Sequence, residues 1–261
     1  MIPSFFIAHG APSLAIKKNG YTRFLEEHFA GLPRPRAVVL FTAHWEASMQ
    51  MISGVDQYGM IYDFRGFSPE LYEMVYPAKG DVELAEEIAD LYAKNGISCQ
   101  IDDKRGIDHG AWVVLHLIYP AADIPVVAMS VNPTLSPEEQ YEIGKILAPL
   151  KERDVLIMGS GGTVHNLSTL DWHKEEEAEQ ASADWANQFD KWLEIQLNNW
   201  NLDQLFRYEE KSSGGLVSVP TNEHFIPLFI AMGAGDQNRK ARLLYRSYQY
   251  GTLSLSCWQF D

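Results

Sequence analysis

The sequence predicts a single α/β domain over residues 1–261, with a mixed central β-sheet flanked by helices. Three observations lead there. Short, continuous apolar runs alternate with longer amphipathic ones, the pattern of buried strands covered by helices. No Ser/Gly/Pro-rich linker and no internal repeat divides the chain. The last stretch alternates and turns at Gly251, which reads as an antiparallel hairpin and makes the sheet mixed.

The elements follow in order. Ser4–Ala8, Ala37–Ala43, Val126–Val131 and Asp154–Gly159 read as strands: apolar, rich in β-branched or aromatic residues, and bounded by turn residues. Met49–Phe64 adds extended chain of less regular pattern. Tyr21–Ala30 reads as a helix. Asp81–Asn95 is a second helix, with Leu84, Ala85, Ile88, Leu91 and Tyr92 on one face and Gly96 as its stop. Trp112–Tyr119 is a third, apolar helix, on which His116 packs. Ser136–Leu150 opens Ser-Pro-Glu-Glu, an N-cap followed by proline and acid in the first turn. Glu175–Leu197 is a long helix with Ala181, Trp185, Phe189, Trp192 and Leu193 as its stripe, and its acidic start suits the positive end of the helix dipole. Leu243–Tyr250 and Thr252–Trp258 form the hairpin.

Composition narrows the functional class. Hydrophobic residues make up 46% and charged residues 21%, ordinary for a globular chain. With 21 Lys and Arg against 35 Asp and Glu, the formal charge of −14 excludes a general attraction for nucleic acid or anionic lipid. Cys99 and Cys257 make neither a disulfide framework nor a C-x-x-C. The start of the chain lacks a basic segment and its apolar run is too short for a signal peptide or a membrane span, so a cytoplasmic protein is expected.

The histidines carry the functional argument. His9 follows the first strand, His44 the second, and His165 follows the fourth after the turn Gly159-Ser160-Gly161-Gly162. His109 sits in Gly-Ile-Asp-His-Gly, and His224 stands where Pro220 and Thr221 open a helix. Ligand sites of open α/β sheets form at the carboxyl ends of the strands. Neutral imidazoles delivered there either converge on a divalent metal or pack as ordinary polar residues, and no H-E-x-x-H decides between the two. His28 and His173, in polar surroundings, read as ordinary. The glycine-rich turn lacks the P-loop lysine and the nucleophile-elbow spacing, so it reads as a tight turn that lets His165 approach. Trp45 and Trp112 flank candidate histidines.

Seven motifs then occur in order: Ala-His9-Gly-Ala-Pro, Thr-Ala-His44-Trp, Tyr62-Asp-Phe-Arg-Gly-Phe67, Tyr76-Pro-Ala, Asp108-His-Gly-Ala-Trp112, Val164-His-Asn-Leu167 and Glu223-His-Phe-Ile-Pro-Leu228. Together they resemble the DOPA-type extradiol dioxygenases of the class III ring-cleavage superfamily, from residue 4 to about 256. The resemblance implies one metal in a mouth at the strand ends, held by His9, His44 and His224. It implies His165 as acid/base or fourth ligand, and His109 as a histidine facing the substrate. In the wider superfamily the third ligand is a glutamate; here that position reads His224, with Glu223 beside it. The implied reaction opens a catechol with dioxygen. Fe²⁺ is the ion for ring cleavage; three neutral imidazoles suit Zn²⁺ as well, and Zn²⁺ is expected in the protein as purified because the Irving–Williams order favours it over iron at nitrogen sites.

Asp108, Trp45 and Arg65 belong to the same motifs and are expected at the substrate, with Arg65 and Arg105 as candidates for a substrate carboxylate. Two other readings remain at this stage. One is a zinc hydrolase using Asp108, Asp63 or Glu223 as its carboxylate, and the other is a metal-binding interaction protein on the same scaffold. Small aromatic substrate and dioxygen are the expected partners, with a monomer or small homo-oligomer as the assembly.

Overall fold

A computed structural model describes residues 2–174 and 177–261. One eight-stranded sheet runs through it in the order β4-β3-β5-β2-β6-β1-β8-β7. The strands are β1 (Ser4–Ala8), β2 (Ala37–Glu46), β3 (Gln50–Ser53), β4 (Cys99–Asp102), β5 (Val126–Val131), β6 (Val155–Gly161), β7 (Ala241–Gln249) and β8 (Leu253–Phe260). The four central strands, β5, β2, β6 and β1, are parallel neighbours, whereas β8 joins β1 and β3 joins β5 antiparallel. The sheet is therefore mixed, as the terminal hairpin predicts.

Helices cover both faces: α1 (Gly20–Ala30), α2 (Glu70–Glu73), α3 (Val82–Lys94), α4 (His109–Ile118), α5 (Pro137–Leu147), α6 (Asp184–Asn198), α7 (Leu202–Phe206), α8 (Tyr208–Lys211), α9 (Gly215–Ser218) and α10 (Ile226–Ala234). The pleat explains why the strands read as continuous apolar runs. Val38 and Leu40 of β2 and Leu156 and Met158 of β6 pack with Leu25, Phe29, Trp112 and Val113 of α1 and α4. Val39, Phe41 and Ile157, one residue out of phase, pack with Ile88, Ile143 and Ile230 of α3, α5 and α10 on the other face. Each such side chain taken from water contributes about 1.5–3 kcal/mol.

Local signals set the helix starts. Asp81 and Ser136 cap α3 and α5 through their side chains, and Ser136 with Glu139 completes a capping box. Gly96, at φ +74°, stops α3.

Three expectations change. The long helix begins only at Asp184. Glu175 and Glu176 lie outside the described residues, and Glu177 accepts hydrogen bonds from the Tyr245 hydroxyl (2.6 Å) and the Tyr21 amide (3.0 Å). Ala178 pairs with Tyr248 as extended chain, so tertiary partners replace the dipole interaction. The second strand is also longer than expected and runs through His44 and Trp45 to Glu46, with its register against β5 shifting after Phe41. Such an irregularity re-aims side chains at a strand end.

The glycine-rich segment is likewise not a turn serving His165. Gly159 and Gly161 lie within β6. A Cβ on Gly159 would stand 2.1 Å from the Pro227 carbonyl oxygen, and one on Gly161 2.1 Å from that of His224. These glycines let the chain entering α10 lie directly on the sheet. Gly161→Ala is expected to cost about 1–3 kcal/mol by urea unfolding and to lower metal affinity, because the His224 backbone must retreat.

Candidate metal centre

His9 continues β1 by one residue, its amide bonded to the Gly161 carbonyl (3.2 Å). His44 is on β2, and His224 precedes α10, its carbonyl accepting from the Gly162 amide (2.8 Å). β6 lies between β1 and β2, so the three residues meet around its carboxyl end. Their Nε2 atoms converge: His44 stands 3.1 Å from His9 and 3.3 Å from His224. The three ligand atoms lie within 4.8 Å of one another.

The outer nitrogens show what this convergence is for. His44 Nδ1 faces Asp63 Oδ2 (3.1 Å) and His224 Nδ1 faces Glu223 Oε1 (3.0 Å). A carboxylate only accepts, so each Nδ1 carries the proton. His9 Nδ1 faces Ser160 Oγ (3.0 Å), whose own hydroxyl donates to the Gly110 carbonyl, leaving Oγ to accept. In the neutral rings every Nε2 is then a bare lone pair. Burial, reinforced by the neighbouring His44, pushes His9 well below the ordinary histidine range; burial and then His165 do the same for His224. Three lone pairs at such distances repel unless a cation lies between them. Nitrogens bound about 2.1 Å from one ion stand about 3.0 Å apart at right angles and about 3.4 Å at the tetrahedral angle. The donor set fits a divalent metal with imidazole ligands, each oriented by a hydrogen bond behind it.

Asp63 joins this set to His109. Its Oδ1 accepts from the His109 amide (3.0 Å) and from His109 Nδ1 (2.8 Å), while Oδ2 holds His44. Burial works against its charge, but the bonds from His109 and His44 prevail and hold the carboxyl far below the usual range. His109 opens α4, its ring centre 4.0 Å from that of His44. Phe64 meets the His109 ring edge-on at 5.7 Å and lies 6.2 Å from Trp112, giving the site an apolar wall.

His165 lies face to face with His224, ring centres 3.5 Å apart and planes 7° from parallel. A metal sits in the plane of each imidazole that binds it, and two nearly parallel planes this far apart share no point nearby. The stack sets the His165 ring beside the centre, where one of its nitrogens also lies within 4.8 Å of donor atoms of Glu223 and His224. Burial pushes its pKa down to about 4, so it is neutral near pH 7.

Asp108 and Trp45 make protein contacts behind His44. Asp108 Oδ1 accepts from Thr42 Oγ1 (2.6 Å) and the Ala111 amide, capping α4, and Oδ2 accepts from Arg105 (3.1 Å). Arg105 donates to the His44 carbonyl as well (3.2 Å) and stacks 4.7 Å above buried Trp45. This clamp fixes the strand that carries His44. Arg65 is exposed, on a cleft with Phe67, Trp172 and Tyr250.

The carboxylates that a hydrolase would need are all engaged: Asp63 with two histidines, Glu223 with His224 and Thr221, Asp108 as above. His28 stacks on Phe24, and neither it nor His116 nor His173 enters a metal-binding group among the described residues. Sequence reasoning missed Asp63 and Ser160 as anchors. Asp63 was visible as a member of a motif and as a candidate hydrolase carboxylate, but not as an anchor, since 46 residues separate it from His109. Among the described residues no helix is long and apolar enough to cross a membrane.

Comparison with known proteins agrees with this geometry. Residues 3–257 match the family described as the catalytic LigB subunit of aromatic ring-opening dioxygenase. A 4,5-DOPA dioxygenase extradiol of Beta vulgaris is 41% identical over 98% of this chain and 96% of its own length. The protein of the same name from Escherichia coli K12 is 34% identical over 97% and 93%. The crystal structure of an uncharacterised Escherichia coli K12 protein superposes with a TM-score of 0.84 at 30% identity, over the whole of both chains. With its histidines gathered at the strand ends of this sheet, the chain belongs to the LigB family of aromatic ring-opening dioxygenases and is an extradiol dioxygenase of the DOPA dioxygenase type.

Proposed function

We propose that His9, His44 and His224 hold one Fe²⁺ and that the chain uses it to open a substituted catechol with dioxygen, beside one of the hydroxyls. The observation that carries this reading is the convergence of three Nε2 lone pairs, each turned inward by an acceptor on its Nδ1. When bound, the iron supplies a site for both reactants and the electron transfer between them, for which zinc has no accessible redox couple. The relatives named as DOPA dioxygenases support a catechol with a polar side chain as the substrate class.

The side chains of this protein handle protons and position. His165, neutral through burial, accepts the proton that a catechol hydroxyl releases on binding and returns it when the ring opens. His109 is also lowered by burial, and with its Nδ1–H fixed on Asp63 it offers a neutral Nε2 toward the same space. Phe64 and Trp112 stand where an aromatic wall excludes water from a flat ring. Asp63 keeps His44 and His109 in one tautomer and orientation at once.

Protein stripped of metal and reloaded with Fe²⁺ without air is expected to take up oxygen with DOPA or caffeate while a visible chromophore appears; no uptake with any catechol contradicts the proposal. His165→Ala is expected to hold iron nearly as well as the parent and to lose about 10²–10⁴ in turnover. Lost iron in that variant would return His165 to the ligands. Asp63→Asn places an amide where His44 and His109 both need an acceptor. Metal affinity, measured by competition with a chelator, is expected to fall about 10–100-fold.

A further inference from the structure

Outside the metal centre, a cleft of about 520 Å³ is lined by Ser13, Lys17, Arg65, Phe67, Trp172 and Tyr250, among others. Two of the chain segments that build the centre run into its walls. One is the His9 loop: Gly10 turns at φ +58°, Ala11 packs with Phe67 and Tyr250, and Ser13 reaches the cleft. The other is the Asp63 segment, with Arg65 two residues on, so that the two Cα atoms lie within about 7.6 Å. Phe64 bridges the two places, touching His109 on one side and Phe67, 5.6 Å away, on the other.

The chemistry of the cleft is specific. Its aromatic floor is Tyr250 and half-exposed Trp172, ring centres 4.8 Å apart, with Lys17 Nζ 6.0 Å from the centre of the Tyr250 ring. Neighbouring cations are engaged: Lys17 is not free, Lys18 pairs with Glu26 at 2.6 Å and Lys174 with Asp171 at 3.7 Å. Arg65 makes no ion pair or hydrogen bond among the described residues. In a chain of net charge −14, an arginine without a carboxylate partner beside a lysine and two aromatic rings is a receptor for an anion on an apolar stem.

We propose that this cleft takes the carboxylate-bearing side chain of the catechol, with Arg65 as its charge partner, so that the enzyme selects anionic catechols over neutral ones. The proposal rests on the catechol reading of the metal centre. A guanidinium offers paired donors in the geometry of a carboxylate. Loss of such a charge-assisted bond corresponds to about a tenfold change in affinity.

The test compares 3-(3,4-dihydroxyphenyl)propionate with its methyl ester, which keeps the catechol and removes the charge. Binding is measured by calorimetry on Zn²⁺-loaded protein, which does not turn over. The parent is expected to bind the acid about tenfold more tightly than the ester. Arg65→Gln is expected to weaken the acid to the level of the ester and leave the ester within twofold, and Arg65→Lys to keep part of the preference. Equal affinities in the parent, no binding of the acid, or an undiminished preference in Arg65→Gln would overturn the assignment. Oxygen uptake by the Fe²⁺-loaded protein with both compounds separates the two readings. A preference for the acid in binding with no uptake from either compound keeps the cleft and rejects ring opening.

Discussion

Everything at this centre depends on hydrogen bonds made on the far side of the histidine rings. A neutral imidazole offers a metal only the nitrogen that lacks the proton. Here Ser160, Asp63 and Glu223 occupy Nδ1 of His9, His44 and His224, and only Nε2 is left to point inward. The anchors are themselves held. Ser160 donates to Gly110, Glu223 accepts from Thr221, and Asp63 is shared with His109. Disturbing one anchor therefore reaches a ligand and the helix or strand that carries it.

The sheet makes this arrangement stiff. Three histidine-bearing segments flank the carboxyl end of one central strand, and that strand alternates Gly159, Ser160, Gly161. The glycines admit the backbone of the chain entering α10, and the serine between them anchors His9. Gly110 serves the same end on α4, where a Cβ would stand 2.7 Å from Thr42 Oγ1 and 2.8 Å from His44 Cδ2. Small residues are required where four chain segments meet, and a larger side chain at any of them would push a histidine off the common point.

Much of this is legible in the chain before folding. The central strands were readable because both faces are covered, which leaves no polar alternation to confuse them with surface strands. Histidines placed after such strands identify the mouth. The rest depends on partners distant in sequence. Nothing local says that Asp63 bridges His44 and His109, or that Asp108 binds Thr42 and Arg105. The start of α6 was misjudged for the same reason: Ala178 finds Tyr248, 70 residues away, and stays extended. His165 needed the angle of its ring, which no sequence pattern encodes.

The most direct test of this account is the protonation pattern of the rings, read by long-range ¹H–¹⁵N correlation in Zn²⁺-loaded, diamagnetic protein. The account predicts a proton on Nδ1 of His9, His44 and His224, with the metal-induced shift on each Nε2. It predicts no metal-induced shift on either nitrogen of His165. A metal shift on Nδ1 of any of the three, or on His165, would contradict it.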